Sequence, residues 1–247
     1  MTRYKISVEY NGTKFHGWQK QLNLPTVQQA IEDVLFKLAK KTVEIFCAGR
    51  TDTGVHAIEQ VASFDMEKDF SPWQLQQALN FHLKGSGVAI FNVENLGENS
   101  NFHARFSAKK REYLYKILNR DYPPTFDELS SWWIPQTLNL ENMITASKFL
   151  IGNHDFSSFR ASGCQASSPI KTIDEINFVK NGDIITMHIA APSFLYHQVR
   201  NIMGSIYLVG RGKISPKNLQ EMLEAKDRTK GGPTAPPHGL YFLKVSY

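Results

Sequence analysis

The residues best suited to chemistry crowd into one short turn, Cys47-Ala48-Gly49-Arg50-Thr51-Asp52-Thr53-Gly54-Val55-His56-Ala57. Two glycines flank a small polar stretch that sets the Arg50 guanidinium close to the Asp52 carboxylate. A carboxylate is ionised at neutral pH and can act as a nucleophile or stabilise an electron-poor carbon. Asp and Gly also build ordinary turns at no special cost, so the turn alone does not specify a reaction. A second concentration of useful groups lies in residues 105–120. Arg105, Lys109, Lys110, Arg111, Lys116 and Arg120 face one acid, Glu112, with Tyr113 and Tyr115 interleaved and Phe102 and Phe106 just upstream. Cations neutralise phosphates and aromatic rings accept stacked bases, a combination suited to RNA. A solvated strand whose tyrosines pack inward would read the same way.

Asp52-Thr53-Gly54 is also the triplet of aspartic proteases, in which two carboxylates share a proton and activate water. That chemistry needs two such triplets and this chain has one. Arg50 and Thr51 stand where those enzymes have an apolar approach, and Val55 follows the glycine in place of a small residue. A zinc-dependent base deaminase fails for want of its His-x-Glu and Pro-Cys-x-x-Cys ligands. His16, His56, His103 and His197 have no second ligand at metal spacing, which leaves them as hydrogen-bonding or RNA-contacting residues. Two cysteines, Cys47 and Cys164, are too few for a disulfide framework or a cysteine-built zinc site. Cys47 falls on an expected strand and reads as packing. No metal and no cofactor is expected.

The 247 residues carry 28 Lys+Arg against 23 Asp+Glu, a formal charge of +5 that the 105–120 segment matches by itself. Hydrophobic and charged fractions of 42% and 21% exclude a disordered or collagen-like chain. No apolar run approaches the ~18 residues of a membrane span, and the opening residues alternate like a strand and not like a signal peptide. A cytoplasmic protein with no membrane association is the expectation.

Elements must position these groups. Residues 4–10 alternate with period two and end at Asn11-Gly12, a strand and a turn. Apolar residues at 27, 30, 31, 34, 35 and 38 give a helix over 27–40, capped by Thr26. Short strands follow at 43–47 and 55–64, a helix at 72–83 with Pro72 in its first turn and Ser71 as cap, and a strand at 88–95. A strand at 111–119, a helix at 140–150, and a hairpin of 173–180 with 184–190 around Asn181-Gly182-Asp183 come next. Helices at 194–209 and 216–225 and a strand at 240–247 complete the chain. Each half reads roughly β-α-β-β-α-β. The expected fold is therefore α+β, two ferredoxin-like halves with a mixed or antiparallel sheet.

Several blocks in order resemble the tRNA pseudouridine synthase A family. Gly49-Arg50-Thr51-Asp52-x-Gly54-Val55-His56-Ala57 is similar to its signature, and Phe15-His16-Gly17-Trp18-Gln19 to its N-terminal block. Phe102-His103-Ala104-Arg105-Phe106-Ser107-Ala108 with Arg111-x-Tyr113-x-Tyr115 is similar to a further block. Asp155-Phe156-Ser157-Ser158-Phe159-Arg160, then Tyr196-His197-Gln198-Val199-Arg200-Asn201-Ile202-Met203-Gly204, continue the order. Ala225-Lys226-Asp227-Arg228 and Gly239-Leu240-Tyr241 complete it. One departure stands beside the signature aspartate, where the family usually carries Ala and this chain has Thr53.

The resemblance implies a pseudouridine synthase fold with a central RNA-binding cleft. Its N-terminal half, 1–105, carries the Asp loop; its C-terminal half, 106–247, carries the Tyr and Arg of the site. It implies isomerisation of uridine at positions 38–40 in the anticodon stem-loop of tRNA by a homodimer, with no protein partner beyond itself. Asp52 takes the role of nucleophile. Arg200 pairs with it, which suits an arginine among Val199, Ile202, Met203 and Ile206, since a buried guanidinium demands a carboxylate. Tyr113 lies against the target base and can assist removal of its C5 proton. Arg50 helps displace the base from its stack. Leu240 lines the uracil pocket, and Lys109, Lys110 and Arg111 bind the RNA.

Overall fold

The computed structural model describes residues 1–126 and 128–247. In chain order the elements are β1 (Thr2–Tyr10), α1 (Val27–Ala39), β2 (Phe46–Cys47), β3 (His56–Met66), α2 (Pro72–Leu83), β4 (Val88–Gly97), β5 (Lys110–Asn119), β6 (Trp132–Ile134), α3 (Leu140–Ser147), β7 (Gly152–Asp155), β8 (Ile170–Ile173), β9 (Glu175–Asn181), β10 (Ile184–Ala191), α4 (Gln198–Gly210), α5 (Pro216–Ala225) and β11 (Leu240–Ser246). The fold is α+β with mostly antiparallel strand pairing. Among the described residues, no helix is long and apolar enough to cross a membrane.

The chain forms two compact units. The first comprises Met1–Arg111 together with Tyr241–Tyr247, the second Glu112–Leu240. In the first, β1 pairs antiparallel with β3 on one side and β4 on the other. The C-terminal strand lies parallel to β3, with Tyr241 opposite His56 and Phe242 opposite Ala57. The expected β-α-β-β-α-β order holds here. α1 is capped by Thr26, whose hydroxyl accepts the Gln29 N–H, and it stops at Lys40 in the left-handed region. α2 opens on a capping box, Ser71 with Gln74, with Pro72 in its first turn. Leu75, Leu79 and Leu83 recur every four residues and are buried, giving α2 the apolar row that packs on β4 and α1. Each such leucine stabilises the unit by about 2 kcal/mol.

In the second unit, β10 stands between β5 and β9, and β6 lies parallel to β5. The β9–β10 hairpin turns at Gly182, where φ is +56°. α3 packs against α4 and α5. Here the structure adds elements that periodicity missed. β6 has three residues, and β7 and β8 have four each and pair with one another, too short for an alternating pattern to register. The helix expected from 194 starts four residues later, at Gln198. His197 occupies the left-handed region (φ +59°), and the Gln198 side chain accepts the Leu195 N–H, so residues 194–197 form a turn that delivers the chain into α4.

Candidate active site

In the first unit Asp52 sits at the crest of a tight turn, part-exposed, between the buried Thr51 and Val55. The turn closes on itself, with the Val55 N–H donating to the Asp52 carbonyl at 3.1 Å, and Gly54 supplies a positive φ of 79°. The N-terminal block braces it. Trp18 N–H donates to the Thr51 carbonyl (3.1 Å), and Gly54 N–H donates to the Phe15 carbonyl (3.3 Å). The Tyr10 hydroxyl and Thr51 Oγ1 share a buried hydrogen bond of 2.7 Å. Gly17 of that block and Gly12 just before it have no room for a side chain: a Cβ on Gly12 would lie 2.0 Å from the Val55 carbonyl oxygen, and one on Gly17 2.5 Å from that of Thr51. His56 is buried, accepts the Gly12 N–H at Nδ1 (3.1 Å) and stacks on Tyr241, so it is a brace and not an RNA contact.

The approach to the turn is fixed just as firmly. The fully buried Gln60 donates from Nε2 to the Gly49 carbonyl at 2.6 Å and accepts the Gly49 N–H at 3.4 Å. Arg111 holds the Ala48 carbonyl with Nε (3.1 Å) and Nη2 (3.0 Å), and reaches the carbonyls of Arg105 (2.6 Å) and Ala108 (3.3 Å). Its guanidinium thus ties the strand leading to Asp52 to the basic segment. Lys109 is exposed and Lys110 part-exposed, on backbone that the Lys109 N–H secures to the Ser246 carbonyl at 2.8 Å. Arg50 is exposed. Cys47 is buried on β2, as its sequence context suggests; burial pushes its thiol up to about 12 against the opposing pull of Arg50 and Arg105. Thr53 is exposed.

Tyr113, Arg200 and Leu240 belong to the second unit. Tyr113 is largely buried on β5 and meets Phe194 edge-on at 5.2 Å. Two residues on, Tyr115 is fully buried and donates its hydroxyl to the Pro236 carbonyl at 2.7 Å. Burial drives that phenol above its ordinary range, and Arg200 partly opposes it. Arg200 lies in the first turn of α4, part-exposed, and donates from Nε to the Ala235 carbonyl at 2.8 Å while its own carbonyl accepts the Ala235 N–H at 3.1 Å. Leu240 is buried at the start of β11.

One further cluster has metal-ligand chemistry. Glu112, Glu175 and His188, on three neighbouring strands, bring ligand atoms within 4.8 Å of one another. The imidazole itself engages both carboxylates, Nε2 at 2.9 Å from Glu112 and Nδ1 at 3.5 Å from Glu175.

The sequence profile of the tRNA pseudouridine synthases matches residues 6–107 and, a second time, residues 146–247. The chain belongs to this family. A tRNA pseudouridine synthase A of Ehrlichia chaffeensis is 48% identical over 246 residues, covering 99% of this chain and 100% of the relative. One of Ehrlichia canis is 46% identical over the same span. The protein is accordingly an isomerase of the pseudouridine synthase class acting on tRNA. The double match also gives the two-part organisation a sequence basis, with the Asp52 turn inside the first matched stretch and Arg200 inside the second.

Residue typing pointed to the groups of this synthase that could react and passed over those that hold them still. Tyr10, Gly12, Gly17, Gln60 and Asn201 all belong to the second kind. Gly17 was visible within the Phe15-His16-Gly17-Trp18-Gln19 block, but its purpose lies in a close approach to a turn more than thirty residues away. Asn201 joins three segments: Nδ2 donates to the Phe159 carbonyl (2.9 Å), and Oδ1 accepts from Thr234 (2.7 Å) and Arg228 (3.2 Å).

Proposed function

We propose that this tRNA pseudouridine synthase isomerises uridine at positions 38–40 of the anticodon stem-loop, with Asp52 as its nucleophile and no cofactor. The reaction breaks the bond between ribose C1′ and uracil N1, turns the base, and joins C1′ to C5. The C5 proton departs and N1 gains one, so no electrons are exchanged and no energy donor is consumed. Asp52 supplies the anion that engages the electron-poor carbon. Arg200 pairs with that carboxylate and aims it. Tyr113 lies on the uracil and assists loss of the C5 proton. Arg50 offsets part of the few kcal/mol spent in extruding the base. Leu240 contributes apolar surface against the ring, and Lys109, Lys110 and Arg111 form the basic face toward the phosphates. The enzyme works as a cytoplasmic homodimer, which doubles the positive surface offered to one tRNA.

The observation that carries this reading is the Asp52 turn. A part-exposed carboxylate stands on backbone held by Phe15, Trp18 and the buried Tyr10–Thr51 hydrogen bond, a degree of preorganisation that an ordinary surface turn does not need. Asp52→Asn is expected to abolish tritium release from tRNA carrying 5-tritiated uridine while leaving tRNA affinity within about twofold. Near-normal turnover by that variant would sink the nucleophile assignment. Release that maps outside positions 38–40 would sink the site assignment alone.

A further inference from the structure

On the first unit, residues 103–107 form a turn whose backbone is pinned from three directions. The buried Ala104 donates its N–H to Ser63 Oγ at 3.1 Å and accepts the Tyr247 hydroxyl at 3.0 Å. Ser107 closes the turn, its N–H on the His103 carbonyl (2.9 Å) and its Oγ accepting the His103 N–H (3.0 Å). His103 Nδ1 accepts the Arg105 N–H at 3.1 Å, which fixes the imidazole as well. Such a turn could have tucked an aromatic side chain inward. Instead it holds Phe106 out, 76% exposed. The ring is not isolated. His103 lies between it (centroids 4.5 Å) and Phe46 (5.1 Å), itself 42% exposed, and the Arg105 guanidinium stands 5.6 Å from the Phe106 centroid.

Three properties of this row select its occupant. The rings are rigidly mounted and offer π-faces, which apolar protein side chains do not require but nucleobases use. The surroundings are cationic: Arg50 and Arg105 both act on the thiol of Cys47, the residue next to Phe46. And Phe46 precedes Asp52 by six residues, so the row lies no more than about 20 Å of chain from the proposed nucleophile. We infer that Phe46, His103 and Phe106, with Arg105, form a stacking shelf that holds an unpaired nucleobase of the substrate RNA other than the uridine being isomerised. Arg111 links this shelf to the catalytic turn through the carbonyls of Arg105 and Ala48, so a base seated on it sets the register of the RNA relative to Asp52. The inference rests on the proposed function, because it presumes an RNA substrate at the Asp52 turn.

The test uses the full-length enzyme and anticodon stem-loop RNAs bearing 2-aminopurine at single loop positions. Phe106→Ala is expected to raise KM and Kd about tenfold with kcat within twofold, and to relieve 2-aminopurine quenching at one loop position. Phe106→Trp should restore both affinity and quenching. Phe81→Ala, which removes an equally exposed ring (77%) from α2, should change none of these. Affinity within twofold of wild type in Phe106→Ala, or equal loss in Phe81→Ala, would overturn the shelf. So would a loss of binding that follows a changed sedimentation coefficient, which would assign the surface to protein association. Wild-type turnover on the same RNAs separates the two ideas: absent pseudouridine refutes the proposed function, whereas normal turnover with an indifferent Phe106 refutes the shelf alone.

Discussion

Replacing Gly17 by alanine tests whether the N-terminal block positions the turn proposed to be catalytic. Gly17 has φ +84°, and a Cβ there would stand 2.5 Å from the Thr51 carbonyl oxygen, where ordinary contact begins near 3.4 Å. About 0.9 Å must be recovered, and the obstacle is backbone, so the 51–54 turn has to shift with Asp52 on it. A displacement near 1 Å costs about 10²-fold in rate, equivalent to ~2.7 kcal/mol in the barrier. A non-glycine residue at positive φ adds strain of about 1 kcal/mol in the folded state. Gly85→Ala separates the two effects, because Gly85 has a similar φ (+79°) and nothing within 4 Å of its would-be Cβ. Both variants should lower Tm by ~2–4 °C through strain. Only Gly17→Ala should lower kcat by about 10²-fold, measured as single-turnover tritium release at saturating tRNA. If Gly17→Ala kept kcat within twofold of Gly85→Ala, the argument that this block sets the geometry of Asp52 would be refuted.

The thiols should differ sharply in reactivity. Burial holds the Cys47 thiol at about 12, whereas at Cys164 the N–H groups of Tyr196 and Ala166 and the Arg160 side chain outweigh burial and draw the thiol below its ordinary value. At pH 8 a disulfide reagent should therefore titrate one thiol in the native protein and two in denaturant; two fast native thiols would contradict the packing of β2. Substituting Lys109 and Lys110 by glutamine should weaken tRNA binding and flatten the log K–log salt slope by about 0.7–0.9 for each phosphate that is no longer neutralised. An unchanged slope would return both lysines to solvated surface. Arg3 holds Asp65 through two hydrogen bonds of 2.8 and 2.6 Å, which keeps that carboxyl below its ordinary value. A depressed carboxylate contributes stability that is present above its unfolded-state value, near 3.8, and is lost as pH falls through the folded-state value. Arg3→Met should thus move the acid-unfolding midpoint upward, and an unmoved midpoint would show that the pair contributes nothing there.

Elements built from long periodic runs were legible in the sequence. α2 and α5 span the residues that their prolines and serine caps delimit, because Ser71 with Gln74 and Ser215 with Asn218 form local capping boxes that need no tertiary context. The start of α4 was not legible. Apolar residues at 194 and 195 continue the helical pattern backward, but the left-handed His197 and the Leu195–Gln198 hydrogen bond stop it, and neither leaves a trace in residue type. The reactive candidates were legible for a different reason. Asp52, Arg50 and Arg200 carry groups whose chemistry is visible at once, and a resemblance running the length of the chain assigned them roles. Arg111 shows the limit of that reasoning. Its charge groups it with Lys109 and Lys110, whereas its hydrogen bonds to the carbonyls of Ala48, Arg105 and Ala108 leave no trace in residue type.

Glycines toward the C-terminus bring main chain into close contact around residues that do not themselves react. A Cβ on Gly204, inside α4, would lie 1.7 Å from the Pro233 carbonyl oxygen, and one on Gly232 would lie 2.7 Å from Ser205 Cα. One on Gly239 would meet the Tyr115 ring at 2.7 Å. Residues 232–239 therefore press main chain against α4 at one end and against β5 at the other. The same segment presents the Ala235 carbonyl to Arg200 Nε and the Pro236 carbonyl to the Tyr115 hydroxyl. A neutral carbonyl holds the Arg200 guanidinium plane without cancelling its charge, whereas a carboxylate in that place would neutralise it. The backbone thus orients this arginine. Thr51 stands to Asp52 in the same relation, its carbonyl held by Trp18 and its hydroxyl by Tyr10. In both units the backbone beside the group proposed for chemistry is held by neutral hydrogen bonds, and at Gly12, Gly17, Gly204 and Gly232 a side chain would meet that supporting main chain.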